Sequence, residues 1–136
     1  MSVAPQGPVV PQVAGWVHQP GAGRVVLRRA GATIAVAAHR VERPPLDPRA
    51  VAARLAAGVR ARTPGAAVEF RSRGSLAGRD VAMQVVASGD DLQLHAVSGS
   101  GSDDDPLLVI VAACTRGEVD EVGRVFAQVA AEVRGG

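Results

Sequence analysis

Cys114 is the only cysteine of the chain, and a thiolate beside a proton acceptor or a cation is a nucleophile, so His39 or His95 would be the partner to seek. The spacing ties neither histidine to it. Cys114 closes an apolar run, where a free cysteine packs as a small hydrophobe, and packing is its expected role. His18, His39 and His95 fall on separate predicted strands, so a metal site would need them to converge from distant parts of the chain. No metal site is assigned. Asp103, Asp104 and Asp105, together with Asp90 and Asp91, offer hard oxygen ligands. A calcium loop, however, spaces its oxygens at alternate positions around a glycine turn, which D-D-D-P does not do. A solvated acidic loop is expected instead. Arg60, Arg62, Arg71 and Arg73 bracket the turn at Pro64-Gly65, and clustered guanidiniums clamp phosphates or acidic proteins. These four are the candidate interaction patch. Walker A, G-x-S-x-G, H-E-x-x-H and GxGxxG motifs are all missing from the sequence. No catalytic or cofactor-binding residue is therefore assigned, and the chain reads as a non-enzyme without a cofactor.

The elements that must position these residues follow from periodicity. Residues 107–114, LLVIVAAC, form an unbroken apolar run that reads as a strand buried on both faces in the middle of a sheet. Thr115 and Glu118 have the spacing of a capping box, and Val119, Val122, Phe126, Val129 and Val133 recur on one helical face beyond it. Upstream, residues 16–18 read as a first strand, 19–23 as a turn, and 24–29 and 33–41 as a hairpin. Pro44-Pro45 interrupts the sheet, and Asp47-Pro48 opens a helix with Asp at the N-cap and Pro at N1. Val51, Leu55 and Val59 then mark its apolar stripe. Strands follow around Val68–Phe70, at 81–87 and at 92–96, with Gly89-Asp90 as a hairpin turn. Hairpin connections imply an α+β fold: a mainly antiparallel sheet of about six to seven strands with two helices packed on it.

At 136 residues the chain fits one domain, expected over 14–136 behind a flexible lead of residues 1–13 that carries three prolines. All fifteen basic residues are arginine, and Asn is absent, which reads as a GC-rich, actinobacterial coding sequence. A formal charge of +2 gives no strongly basic surface, and with few aromatic side chains nucleic acid is not an expected partner. No segment approaches the roughly 18 apolar residues of a membrane span, and the lead lacks the features of a signal peptide. As written the chain is expected in the cytoplasm, or with the envelope if it is part of a longer protein. Direct membrane insertion is not expected.

Trp16 near the domain start, the helix over 48–62, V-E-F at 68–70, L-A-G-R at 76–79 and the late strand ending at Cys114 resemble the C-terminal domain of actinobacterial type VII secretion-associated proteins. More broadly, the element order resembles the PsbP-like fold, shared by mycobacterial lipoproteins of the LpqN type. The resemblance implies a non-catalytic accessory or binding role and carries over no catalytic residue. Full-length members of the secretion-associated family also have an N-terminal domain, a membrane segment and a second cysteine in the last helix, where this chain has Val, Ala and Phe. The expected function is protein binding as an accessory of a secretion or envelope system. The alternative is a carrier of a small apolar ligand or lipid, with Ala35, Ala37, Ala82 and Ala112 leaving room between sheet and helices. A protein partner is expected, and the first strand near Trp16 is a candidate edge for pairing with a second copy.

Overall fold

The computed structural model describes residues 7–40, 47–76, 78–99 and 105–134. The Pro44-Pro45 break, residues 1–6, and Asp103 and Asp104 of the acidic loop lie outside them. Seven strands make one sheet: β1 (Val17–Gly21), β2 (Arg24–Arg29), β3 (Ala32–His39), β4 (Ala67–Leu76), β5 (Arg79–Ser88), β6 (Asp91–Ser98) and β7 (Leu107–Thr115). Their order is β1-β2-β3-β7-β6-β5-β4, and every neighbouring pair is antiparallel. Two meanders, β1–β3 and β4–β7, are thus joined along β3 and β7. The α+β architecture read from the hairpin signals is the one observed.

The apolar run of β7 takes the central position because only there do both of its long edges find partners. Its even-numbered residues Leu108, Ile110, Ala112 and Cys114 are all buried. They join Ile34, Val36, Leu92, Leu94 and Ala96 in the main core. Helix α2 (Val119–Glu132) covers that face, burying Val122, Phe126, Val129 and Ala130. At roughly 1.5–3 kcal/mol for each large apolar side chain removed from water, this seam is the main attachment of α2. Of the odd-numbered residues Leu107 is buried as well, against Ala52 and Val97 on the α1 side, but the rest differ from the expectation of a strand buried on both sides. Val109, Val111 and Ala113 are only half-buried, because the helix on that side lies further along the sheet.

That second helix is α1 (Pro48–Arg62). The chain leaves β3 in the middle of the sheet and must reach β4 at the far edge, so α1 crosses over β5 and β6 on the face opposite α2. Asp47 caps it, the carboxylate accepting from the Arg49 N–H at 3.0 Å, with Pro48 in the first turn. Its deepest residues are Ala52, Ala56 and Val59. Val51 and Leu55, expected to form the stripe, are partly buried on one flank. Small residues take the centre because they let the helix backbone come close to the sheet, where Ala82 and Val97 lie beneath Ala52.

The capped junction after β7 has the expected partners. The Glu118 carboxylate accepts from the Thr115 N–H at 3.0 Å and from its hydroxyl at 2.9 Å. A single 3₁₀ turn, Arg116–Glu118, precedes α2 proper. At the other end of the chain, β1 runs through Gln19, Pro20 and Gly21, which the sequence reading assigned to a turn. Pro20 is tolerated because β1 is an edge strand, where a missing donor need not break a ladder. Residues of the expected lead also touch the body: Val9 exchanges backbone hydrogen bonds with Arg134 at 2.8 and 2.9 Å, and Val10 and Val13 pack against the main core. Trp16 is turned inward, 7% exposed.

Candidate interaction surface

Arg71 and Arg73 alternate along β4, opposite Gln84 and Ala82 of β5, so both project on the α1 side of the sheet. There they line a cleft of about 320 Å³ between β4 and α1, together with Arg49, Ala52, Ala53 and Gln84. Arg60, from the last turn of the same helix, lines an adjoining depression together with Arg71 and Phe70. Arg62 is not part of this group. It sits on the other flank of α1, where its guanidinium lies about 3.5 Å from the position a side chain on Gly58 would take. The 100° step of the helix explains the split: residues 49, 53 and 60 share one flank, while 51, 55, 58 and 62 share the other. Arg49 is the member that sequence proximity missed, and only the helical phase relative to Ala52 and Ala56 could have indicated it.

Among the described residues the cations here are only loosely held by carboxylates. Arg49 Nε is 3.8 Å from Asp47, and Arg73 is 4.0 Å from Asp80, with every side chain in both pairs more than half exposed. Contacts of this length and exposure add little to stability, which leaves the guanidinium faces available to another anion. Arg116 provides the contrast. It grips Glu69 with both terminal nitrogens and donates from Nε to Gly89 O at 3.0 Å, tying the start of α2 to β4 and to the β5–β6 turn. Its hydrogen bond, reinforced by its charge, holds the Glu69 carboxyl below the usual carboxylate range. Glu69 sits where the β4–β5 register shifts, between Val68 and Phe70. Beyond this irregularity Phe70 pairs with Val85 and faces the α2 side, 55% exposed.

The nucleophile and base considered in the sequence are kept apart by the sheet. Cys114 pairs with Leu92 and faces α2, whereas His95 lies on the α1 side opposite Gln84. Burial, assisted by the Glu118 charge, pushes the Cys114 thiol up, which is the opposite of activation. His39 stands at the far end of β3 from Cys114, level with Leu107. His95, 1% exposed, belongs to a closed polar chain. Gln84 Nε2 donates to Ala52 O of α1 at 2.6 Å and lies 2.9 Å from His95 Nδ1, while His95 Nε2 lies 2.9 Å from Gln93 Oε1. Because an amide NH₂ can only donate, Nδ1 is the acceptor and the proton sits on Nε2. Burial pushes the His95 pKa down to about 4, so the ring is neutral near pH 7. His18 has a comparable structural duty, its Nε2 accepting from the Val13 N–H at 3.3 Å. Among the described residues no three His, Cys, Asp or Glu side chains gather as a metal site.

Of the L-A-G-R segment, Leu76 ends β4, Gly78 has φ +78° and Arg79 opens β5. Its Arg79 donates to Ala130 O at 3.0 Å, so a guanidinium holds the carboxyl end of α2. The four alanines proposed to leave a cavity divide into two groups. Ala82 and Ala112 are buried beneath the helices, 6% and 0% exposed, and serve close packing. Ala35 and Ala37 lie half-buried on the α1 side, on the part of the sheet that α1 does not reach.

Sheet order, the two helices on opposite faces and the crossover by α1 together define a PsbP-like α+β fold. The cyanobacterial PsbP (CyanoP) of Synechocystis sp. PCC 6803 superposes with a TM-score of 0.68 at 16% identity, over 96% of this chain and 87% of that one. LpqN of Mycobacterium tuberculosis, a protein involved in cell envelope biogenesis, superposes with a TM-score of 0.62 at 12% identity, over 93% of this chain and 81% of its own. At such identities the likeness is one of fold. No protein-family model matches the sequence, and no curated protein matches it significantly. Among the described residues no helix is long and apolar enough to cross a membrane.

Proposed function

We propose that this chain is a non-enzymatic accessory domain that binds an acidic protein partner through Arg49, Arg60, Arg71 and Arg73, in a secretion or envelope setting. The observation that carries this reading is the gathering of four guanidiniums from α1 and β4 on one flank of the molecule, where, among the described residues, Arg49 and Arg73 make only long, exposed contacts to carboxylates. A desolvated guanidinium prefers a bidentate carboxylate, and several together select a partner by charge pattern. Nucleic acid fits this surface less well. Phe70 is the one exposed aromatic beside the cluster, and a single ring does not give successive bases a row of stacking platforms.

The setting is supported by two likenesses of different kinds. LpqN, whose fold this chain shares, is involved in cell envelope biogenesis, and the late strand ending at Cys114 with the L-A-G-R motif resembles the secretion-associated family. A photo-crosslinking residue at Ala53, inside the cleft, tests the proposal in the native host. The expected result is one stoichiometric adduct that disappears when Arg71→Glu and Arg73→Glu are combined. An adduct insensitive to that reversal, no adduct at all, or turnover of a substrate by the purified protein would overturn it.

A further inference from the structure

We infer that β4 is a docking edge for an extended acidic segment, which adds to the sheet as an eighth strand. The inference rests on the protein-binding reading above and specifies how the partner is held. Of the two sheet edges, β1 is five residues long and contains Pro20, so it offers a short and incomplete row of donors. β4 is ten residues long, contains no proline and, among the described residues, has β5 as its only neighbour in the sheet. Its outer row of backbone groups is therefore a template for another strand.

Which strand it accepts follows from the side chains on its two faces. Arg71 and Arg73 point to the α1 side, while Phe70 and Ser72, opposite Val85 and Met83, point to the α2 side. An incoming strand that alternates acidic and apolar residues sets its carboxylates beside the two guanidiniums and its apolar side chains beside exposed Phe70. A strand lacking this alternation satisfies one face at the expense of the other, because successive side chains point to opposite sides. A second copy of β4 is disfavoured by the same residues, since it would bring arginine against arginine. The charges that guard this edge against self-pairing thus also select its partner. At the start of the strand the register shift at Val68/Phe70, with Glu69 held by Arg116, marks where regular pairing begins.

The test uses three labelled peptides, EVEVEVE, its rearrangement EEVVVEE and the basic KVKVKVK, with binding read by fluorescence anisotropy and backbone protection by hydrogen exchange. EVEVEVE is expected to bind about tenfold more tightly than EEVVVEE, the scale of two matched cross-strand charge pairs, and to slow exchange of β4 amides. Combining Arg71→Glu with Arg73→Glu is expected to reverse the preference toward KVKVKVK, a gain that a misfolded variant would not produce. Equal binding of the two acidic peptides, or binding that leaves β4 exchange unchanged, would overturn strand addition. If the cellular adduct at Ala53 still depended on the arginines in that case, protein binding through the cluster would stand and only the mode of docking would fall.

Discussion

At the scale of single residues, the informative side chains are buried ones whose chemistry is suppressed. His95 is neutral in the fold, with a pKa near 4 against 6.5 for an unburied ring. Between those values the unfolded chain binds a proton that the native state refuses, so stability falls as pH drops from about 6.5 toward 4 and is flat for this group above 6.5. A shift of that size corresponds to roughly 3 kcal/mol. Urea unfolding at pH 7 and pH 4.5 should show most of the loss, and His95→Gln should remove the share due to this ring. A His95→Gln variant as acid-sensitive as the parent would disprove the assignment. Cys114 is predicted to react with a thiol reagent at neutral pH only after denaturation, since it is 7% exposed and its thiolate is disfavoured. Rapid labelling of the folded protein would reopen the question of a nucleophile. The sequence revealed that Cys114 ends an apolar strand. It did not reveal the Gln84–His95 contact, which depends on β5–β6 register and on a carbonyl from α1.

Helices and strands show where periodicity suffices as a guide and where it does not. The capped start of α1 and the junction after β7 were readable because their signals are local: Asp47-Pro48, and Thr115 with Glu118. Of the α1 stripe expected from large side chains, Val59 is buried while Val51 and Leu55 lie to one flank, because close helix–sheet contact favours Ala52 and Ala56 at the centre. Pro20 was read as part of a turn because the edge position that tolerates it is a property of the whole sheet. The assignment of Arg62 to the patch and the omission of Arg49 share one cause, since nearness in sequence does not identify the flank of a helix. Arg79 was visible in the L-A-G-R motif without its purpose. Replacing it by Ala removes the donor to Ala130 O, and the expected cost is about 1 kcal/mol, discounted for partial exposure. Faster amide exchange in the last turn of α2, with the rest of the sheet unaffected, is the measurement that checks it.

For the molecule as a whole, the two faces of the sheet are unequal. One is sealed by α2 across its centre; the other is covered by α1 over β4, β5, β6 and the start of β7 at Leu107, leaving Val109, Val111, Ala35 and Ala37 half-buried. Adjacent positions on β7 should therefore respond differently to the same charge. Ile110→Lys places an unpaired ammonium in the main core and is expected to cost more than about 4 kcal/mol, while Val111→Lys should cost about 1. Thermal midpoints of the two variants provide the comparison, and similar losses would mean that the α1 side is sealed as well. The strand at the middle of this sheet is also the last of the seven to be synthesised. Until residues 107–115 are available, β3 and β6 are both unpaired edges, and neither meander has the neighbour against which its core closes. Closure of the sheet on the nascent chain must therefore wait for the last of its strands. During that interval two open sheet edges are exposed to the aggregation that the finished sheet avoids.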